Sequence, residues 1–317
     1  MLDRIPNKED IIGAAGIIKP YVNRTPVLTS ATFNKRYNSE LYFKCENFQK
    51  VGAFKSRGAV HALLSIPEPD RINGVCTHSS GNHAQALARA AGLFGVPAYI
   101  VMPENSPQVK IDAVRNYGGR ITFCKPNLEA REATLKEVQK QTGAIEVHPY
   151  DNYDIIAGQA TAAKELLEEE PDLEMVLCPV GGGGLLAGTA LAVQYFSANR
   201  AKVIACEPDG ADDAFRSFQK GKIVPSVSPH TIADGLLTSL GKRNFPIIQD
   251  YVMEIVTVSD ASIIEAMRLI YERIKIVIEP SSAVPLAAIA EQKIAVSGKK
   301  TGVIISGGNV DLKKLPF

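Results

Sequence analysis

The chain has 317 residues, 45% hydrophobic and 22% charged, with 35 basic side chains against 34 acidic ones and a formal charge of +1. That length buries one large core or two ordinary ones, and the near-neutral charge argues against nucleic acid or an anionic membrane as a partner. No apolar stretch approaches the ~20 residues of a membrane span, and the polar start from Met1 to Asn7 lacks a signal-peptide core.

Short β-branched runs alternate with helical patterns along the whole sequence. Taken in order, the pattern predicts a strand over 41–45, a helix over 55–64, a strand over 74–78 and a helix over 83–94. A strand over 98–102, a helix over 109–117, a strand over 120–124 and a helix over 129–141 follow. The last set is a strand over 175–180, a helix over 185–196, strands over 202–206 and 302–305, and between these two a helix over 262–273. This alternation implies βαβ units, hence an α/β fold of mostly parallel sheets with helices on both faces. Two sheets are expected, because residues from about 67 to 150 form a proline-punctuated strand–helix series of their own. The division expected is a small domain over 68–150 inserted in a larger one made of 1–67 and 151–317, with the ligand in the cleft. The Glu-rich run 165–170 reads as the solvated end of a helix. Cys45, Cys76, Cys124, Cys178 and Cys206 show no CxxC spacing and mostly sit in apolar runs, so they read as reduced thiols of a cytoplasmic protein.

Chemistry concentrates in the turns. Lys55 follows a glycine turn and opens an apolar helix, where the positive end of the helix dipole lowers the pKa of an amine and frees it as a nucleophile. A lysine in a first helical turn is otherwise just solvated. Gly181, Gly182, Gly183 and Gly184 lie between a strand and the helix opening at Leu185, a setting that lets free amides and the helix dipole cradle a phosphate. The bland alternative is a flexible turn. Ser79, Ser80, Gly81, Asn82 and His83 form a second strand–helix turn whose hydroxyls and amides suit a carboxylate. A plain N-cap needs only one of them, and His83 alone reads as a packed or capping residue. Ser306, after the last strand, stands where a ligand meets the carboxyl edge of the sheet.

One rival reading uses the same glycines. Gly182, Gly184 and Gly188 mimic a dinucleotide fingerprint, and Glu207 ends the next strand where a ribose-binding acid sits. That reading, a nicotinamide-dependent oxidoreductase, leaves Lys55 and the serine-rich turns without a role.

The four motifs together, Phe-Lys-Ser-Arg-Gly-Ala at 54–59, Ser-Ser-Gly-Asn-His at 79–83, the glycines at 181–184 and Ser-Gly-Gly-Asn-Val-Asp at 306–311, carry a family resemblance over essentially the whole length. The chain resembles pyridoxal-phosphate enzymes of the tryptophan synthase β fold type, in the serine/threonine dehydratase and serine racemase branch. Thr-Pro-Val-Leu-Thr-Ser at 25–30, Ala-Asp-Asp at 211–213 and Ile-Glu-Pro at 278–280 point to the racemase group within it. The resemblance implies that Lys55 holds pyridoxal 5′-phosphate as a Schiff base and acts as acid and base on one face of the substrate. It implies that the glycines and Leu185 hold the phosphate, Asn82 the ring hydroxyl and Ser306 the pyridine nitrogen, with Phe54 packed near the ring. A serine does not hold that nitrogen protonated, so the ring is a weaker electron sink, compatible with prompt β-elimination or reprotonation. Ser79, Ser80, Gly81, Asn82 and His83 would bind the substrate carboxylate. Ser80 would also act on the face opposite Lys55, and two opposed acid/base groups permit racemisation.

By the same resemblance Glu207, the Ala211 carbonyl and Asp213 match a divalent-cation site for Mg²⁺, Ca²⁺ or Mn²⁺; without it, Asp213 and its neighbours read as surface acids. Arg131 matches a residue able to pair with a second substrate carboxylate, whereas the sequence alone reads equally as a solvated arginine among Glu129, Glu132 and Lys136. Val51 and Ala53 replace a threonine and a serine of the racemase pattern, which removes a hydroxyl from its nucleotide-activation site. Room for the regulatory C-terminal domain of biosynthetic threonine dehydratases is absent from the 317 residues. The expected activity is removal of water and ammonia from small β-hydroxy amino acids, L-serine and L-threonine, to a 2-oxo acid, with serine racemase activity beside it. Dehydration of threo-3-hydroxyaspartate to oxaloacetate and ammonia is the alternative. The group is commonly homodimeric.

Overall fold

The central strands of this chain are mostly apolar, the signature of sheets covered on both faces. The computed structural model describes residues 1–79, 81–106 and 108–317. The chain opens with α1 (Lys8–Ile18), β1 (Val27–Leu28), α2 (Ala31–Tyr37), β2 (Glu40–Cys45) and α3 (Lys55–Ser65). The middle third runs β3 (Val75–His78), α4 (Asn82–Leu93), β4 (Ala98–Pro103), α5 (Gln108–Asn116), β5 (Arg120–Cys124), α6 (Leu128–Thr142) and β6 (Ile145–Glu146). Then come α7 (Tyr153–Glu169), β7 (Met175–Pro179), α8 (Gly184–Phe196), β8 (Lys202–Pro208) and α9 (Asp213–Lys220). The chain ends with α10 (Asn244–Tyr251), β9 (Glu254–Val258), α11 (Asp260–Arg273), α12 (Pro280–Ala290) and β10 (Lys300–Ile305).

Two sheets form. The six-stranded one has the order β1-β2-β10-β7-β8-β9 and the four-stranded one β5-β4-β3-β6. All pairings are parallel except that of β1 with β2. In the larger sheet Leu177, Ile204, Val303 and Ile305 face α11 and α12, while Val176, Cys178, Val203 and Ile304 face α7 and α8. The period of two thus buries both faces. In the smaller sheet Val75, Ile100 and Met102 pack with α3 and α4, and Cys76, Val101 and Cys124 with Leu135 and Val138 of α6. All five cysteines are free and buried.

Helix α3 is clamped. A Cβ on Gly58 would fall 2.6 Å from Gln159 Nε2, and one on Gly158 would fall 2.6 Å from the Gly58 Cα, so α3 and α7 touch through bare backbone. Beside that crossing the fully buried Arg57 holds Glu46 at 2.7 Å and Glu165 at 2.7 Å. Glu165 also takes buried Lys44 at 2.8 Å. The Glu-rich run does end a helix, but Glu165 turns inward to answer two buried cations rather than water. Elements named from the sequence all form, with ends shifted by no more than two residues. Unforeseen were α1, α2, α9, α10, α12, β1, β6 and β9, while of α7 only its Glu-rich end was anticipated. Among the described residues no helix is long and apolar enough to cross a membrane.

Candidate active site

Parallel pairing delivers the turns to one place. Strands β2, β10 and β7 are neighbours, with Ile305 opposite Cys45 and Val303 opposite Leu177, so their carboxyl ends open side by side. Cys45 leads through two short 3₁₀ turns to Lys55, Ile305 leads to Ser306, and Pro179 leads to the four glycines. From the smaller sheet, β3 leads to Ser79 and α4. Between them lies a cavity of about 500 Å³. Phe54, Lys55, Ser79, Gly81, Asn82, His83, Arg131, Gly181, Gly182, Gly183, Gly184, Leu185 and Ser306 all line it. Ser80 lies outside the described residues.

The Lys55 amine donates to the Pro149 carbonyl at 2.8 Å. Burial pulls it down to about 8, against an opposing pull from the Glu279 carboxylate. Desolvation in the cavity, rather than the helix end invoked from the sequence, is the chief cause. The turn before it is strained: Val51, a β-branched residue, sits at φ +55, a conformation that costs about 1–3 kcal/mol outside glycine. Asn309 holds it there by donating to the Val51 carbonyl at 2.7 Å.

Asn82 does not cap α4 but opens it, and the N-cap residue, Gly81, has no side chain to offer. The Asn82 amide nitrogen lies 3.0 Å from each Glu279 oxygen, and its oxygen accepts from Asn309 at 2.8 Å. Both ends of the amide are therefore fixed, and a second N–H remains for a ligand. Burial raises the Glu279 carboxyl to about 7, opposed by the Asn82 hydrogen bond. His83 is packed as well: burial and the charge of Lys55 push it down to about 3, and its Nε2–H donates to the Val147 carbonyl at 2.9 Å. Ser306 is buried, its hydroxyl 3.0 Å from that of Ser282, which also bonds both the amide and the carbonyl of Gly307.

At the glycine turn α8 begins with Gly183 at φ +89 as its N-cap, and no side chain caps the first amides. Open amides at a helix start facing a cavity are the donor set an anion requires. Crowding requires the glycines too. A Cβ on Gly182 would fall 2.4 Å from the Tyr150 ring, and one on Gly181 would fall 2.8 Å from the Leu236 Cα. Asn244 staples the turn, donating to the Gly182 carbonyl at 2.7 Å and accepting from the Gly241 amide at 3.1 Å.

Similarity to known proteins shows the family of the chain. Residues 18–307 match the family described as "Pyridoxal-phosphate dependent enzyme". The chain belongs to that family. A cavity with a depressed lysine amine and uncapped helix amides fits a phosphorylated aldehyde, so Lys55 and the glycine turn suit pyridoxal phosphate on the chemistry of the donors as well. The chain is 50% identical over 313 residues to a beta-hydroxyaspartate dehydratase of Paracoccus denitrificans (strain Pd 1222), covering 99% of both chains. It matches the crystal structure of a serine racemase from Dictyostelium discoideum with a TM-score of 0.92 and 48% identity, covering 96% of this chain and 99% of that one. A threonine deaminase from T.th. matches with a TM-score of 0.91 and 41% identity, over 97% and 99%. This is the pyridoxal-phosphate enzyme fold of the tryptophan synthase β type. The nicotinamide reading loses its ground here: both Glu207 oxygens accept amides of α9, from Ala214 at 2.9 Å and Phe215 at 2.8 Å. Gly188 is there because a Cβ would fall 2.7 Å from the Ala160 nitrogen of α7.

Away from the cavity, Ala211 and Asp213 are buried beside Glu207 at the start of α9. Among the described residues neither Asp213 oxygen has a partner at hydrogen-bonding distance. Two buried carboxylates with open lone pairs are a donor set for a hard cation. Glu279, Tyr150 and His78 line the cavity and Asn244 braces its glycine turn, and none of the four is singled out by the sequence motifs. Glu279 stands within the Ile-Glu-Pro run at 278–280, where the motif by itself assigns it no role. An acid just before a helix-opening proline, at a strand-end turn, was the available signal.

Proposed function

We propose that this pyridoxal-phosphate enzyme is an ammonia-lyase for small β-hydroxy amino acids: the β-hydroxyl leaves as water, a water hydrolyses the resulting enamine, and the net products are a 2-oxo acid and ammonia. The observation that carries the reading is the Lys55 amine, drawn down to about 8 within the same cavity as the uncapped start of α8. Gly181, Gly182, Gly183, Gly184 and Leu185 would hold the cofactor phosphate, Asn82 and Ser306 two atoms of its ring, and Phe54 its face. When bound, the cofactor supplies an electron sink that acidifies the α-hydrogen of the substrate. Lys55 removes that proton and returns one; amides and hydroxyls of the turn through Ser79, Gly81 and His83 hold the carboxylate. By the resemblance alone, Ser80 would act on the face opposite Lys55 and give the enzyme serine racemase activity beside elimination. Residues 1–67 and 151–317 would form the cofactor-binding domain, with 68–150 as the small domain inserted in it.

A second reading concerns the side chain accepted. Arg131 lines the cavity, and its Nε is buried with no partner among the described residues. An unanswered guanidinium edge suits a second carboxylate, which makes threo-3-hydroxyaspartate a substrate and oxaloacetate the product. The name of the Paracoccus relative supports this reading. Glu207, the Ala211 carbonyl and Asp213 would take Mg²⁺, Ca²⁺ or Mn²⁺ as a structural ion. A cytoplasmic homodimer completes the reading, in keeping with five free thiols. The test is to incubate the holoenzyme with L-serine, D-serine, L-threonine and threo-3-hydroxyaspartate, measuring keto acid and product chirality. Keto acid and ammonia in equal amounts are expected, and Arg131→Ala should lower kcat/KM for 3-hydroxyaspartate far more than for serine. No keto acid from any of the four would overturn the lyase reading.

A further inference from the structure

Beside Arg131 lies a cluster that the chemistry above does not use. One ring nitrogen each of His78 and His148 and a Glu146 carboxylate oxygen all lie within 4.8 Å of one another. His78, at the end of β3, lines the cavity; Glu146 and His148 stand behind it at the end of β6. Two imidazoles and a carboxylate have the make-up of a metal site, but the hydrogen bonds oppose that. The Asp151 amide donates to His148 Nδ1 at 2.9 Å and the Tyr150 amide at 3.4 Å. His148 therefore carries its proton on Nε2, whereas a metal-binding imidazole donates through its non-ligating nitrogen.

We propose that His78 determines specificity by taking up a proton as a dicarboxylic substrate binds, its imidazolium sharing the distal carboxylate with Arg131. This rests on the reading of Arg131 as a partner of a second carboxylate. The charged and titratable groups around His78 are Arg131 and Glu132 of α6, Glu146 and His148 beyond β6, and His83 of α4. In the free site burial and then the Arg131 charge hold His78 below its ordinary value, with Glu132 opposing. Burial also holds His148 down to about 4, so it stays neutral through the working range. Glu146 is pushed up, first by burial and then by Glu132. A cation arriving on His78 would answer that carboxylate. An arriving distal carboxylate cancels the field of Arg131 and favours the protonated ring, which serine, with its neutral side chain, does not do.

The sign follows from linkage. Binding that raises a pKa takes up a proton, so affinity is greatest at low pH and falls as pH rises through the window between the free and bound values. Groups common to all substrates, Lys55 and the substrate amine, cancel in the ratio of two KM values. The experiment measures KM for threo-3-hydroxyaspartate and L-serine from pH 6 to 8.5 in the holoenzyme and in His78→Gln and Glu146→Gln. Calorimetry with succinate, in buffers of differing ionisation enthalpy, counts protons on the unmodified holoenzyme. Expected is a KM ratio rising with pH by up to about tenfold per unit within the window, flat in His78→Gln, and proton uptake with succinate. In Glu146→Gln the rise should fall at lower pH, since the imidazolium loses its carboxylate neighbour. A ratio independent of pH, or one that keeps its slope in His78→Gln, overturns the inference while an Arg131-dependent turnover of 3-hydroxyaspartate stands. If neither 3-hydroxyaspartate nor succinate binds, the reading of Arg131 falls and takes this inference with it.

Discussion

Desolvation in the cavity frees the Lys55 amine for the attack on an aldehyde proposed for it, by an amount that follows from its lowered pKa. A fall from 10.5 to about 8 raises the neutral fraction at pH 7 from about 0.03% to about 10%, a gain of about 300-fold in nucleophilic amine. Capture of pyridoxal phosphate by the apoenzyme, followed in a stopped-flow instrument by the visible absorption that develops, should therefore speed up by about tenfold per pH unit below 8 and level off above it. Glu279 is the opposing influence, since its carboxylate favours the ammonium. Glu279→Gln should move the break in the profile to lower pH, while Asn82 loses a fixed partner and the bound cofactor is held less well. A rate still climbing at pH 10 would refute the account, because it would mean the amine is solvated like a free lysine. A break that does not move in Glu279→Gln would refute the part assigned to that carboxylate.

Other perturbations follow from the packing. Arg57→Ala leaves buried Glu46 without its cation and should cost about 3–5 kcal/mol in denaturant unfolding; a loss under 1 kcal/mol would deny the network its weight. Gly158→Ala places a methyl 2.6 Å from the Gly58 Cα, prising α7 from α3. A loss of about 1–3 kcal/mol and a lower kcat should appear together, since α3 carries Lys55. Chelation of the purified enzyme should lower its melting temperature, with Mg²⁺ restoring it, because a cation at a hundred times its dissociation constant contributes about 2.7 kcal/mol. A melting curve indifferent to chelator in the wild type and in Asp213→Asn would remove the cation from the account.

Much of the fold was legible because its central strands are local and mostly apolar. The helix α12 was not: Pro280 and Pro285 disguise it, although the first stands at the helix start, where it is tolerated. The run at 165–170 looked solvated because charge alone does not reveal that Arg57 and Lys44 are buried opposite Glu165. In the site, the serine turn, the glycine turn and Ser306 were readable as motifs that closely follow a strand end, and Lys55 as the start of a helix after a glycine turn. Their supports were not, because they arrive from far along the chain. Glu279 meets Asn82 across 197 residues, and Asn244 meets Gly182 across 62. The glycine turn shows the same limit. Its composition suggests a phosphate, but only the structure brings Tyr150 and Leu236 against it.

Borohydride reduction of the holoenzyme, digestion and mass spectrometry of the peptides test the central claim most directly. A single phosphopyridoxyl adduct is expected, on Lys55, with the yellow colour lost in Lys55→Ala. An adduct on another lysine, or none at all, would contradict it.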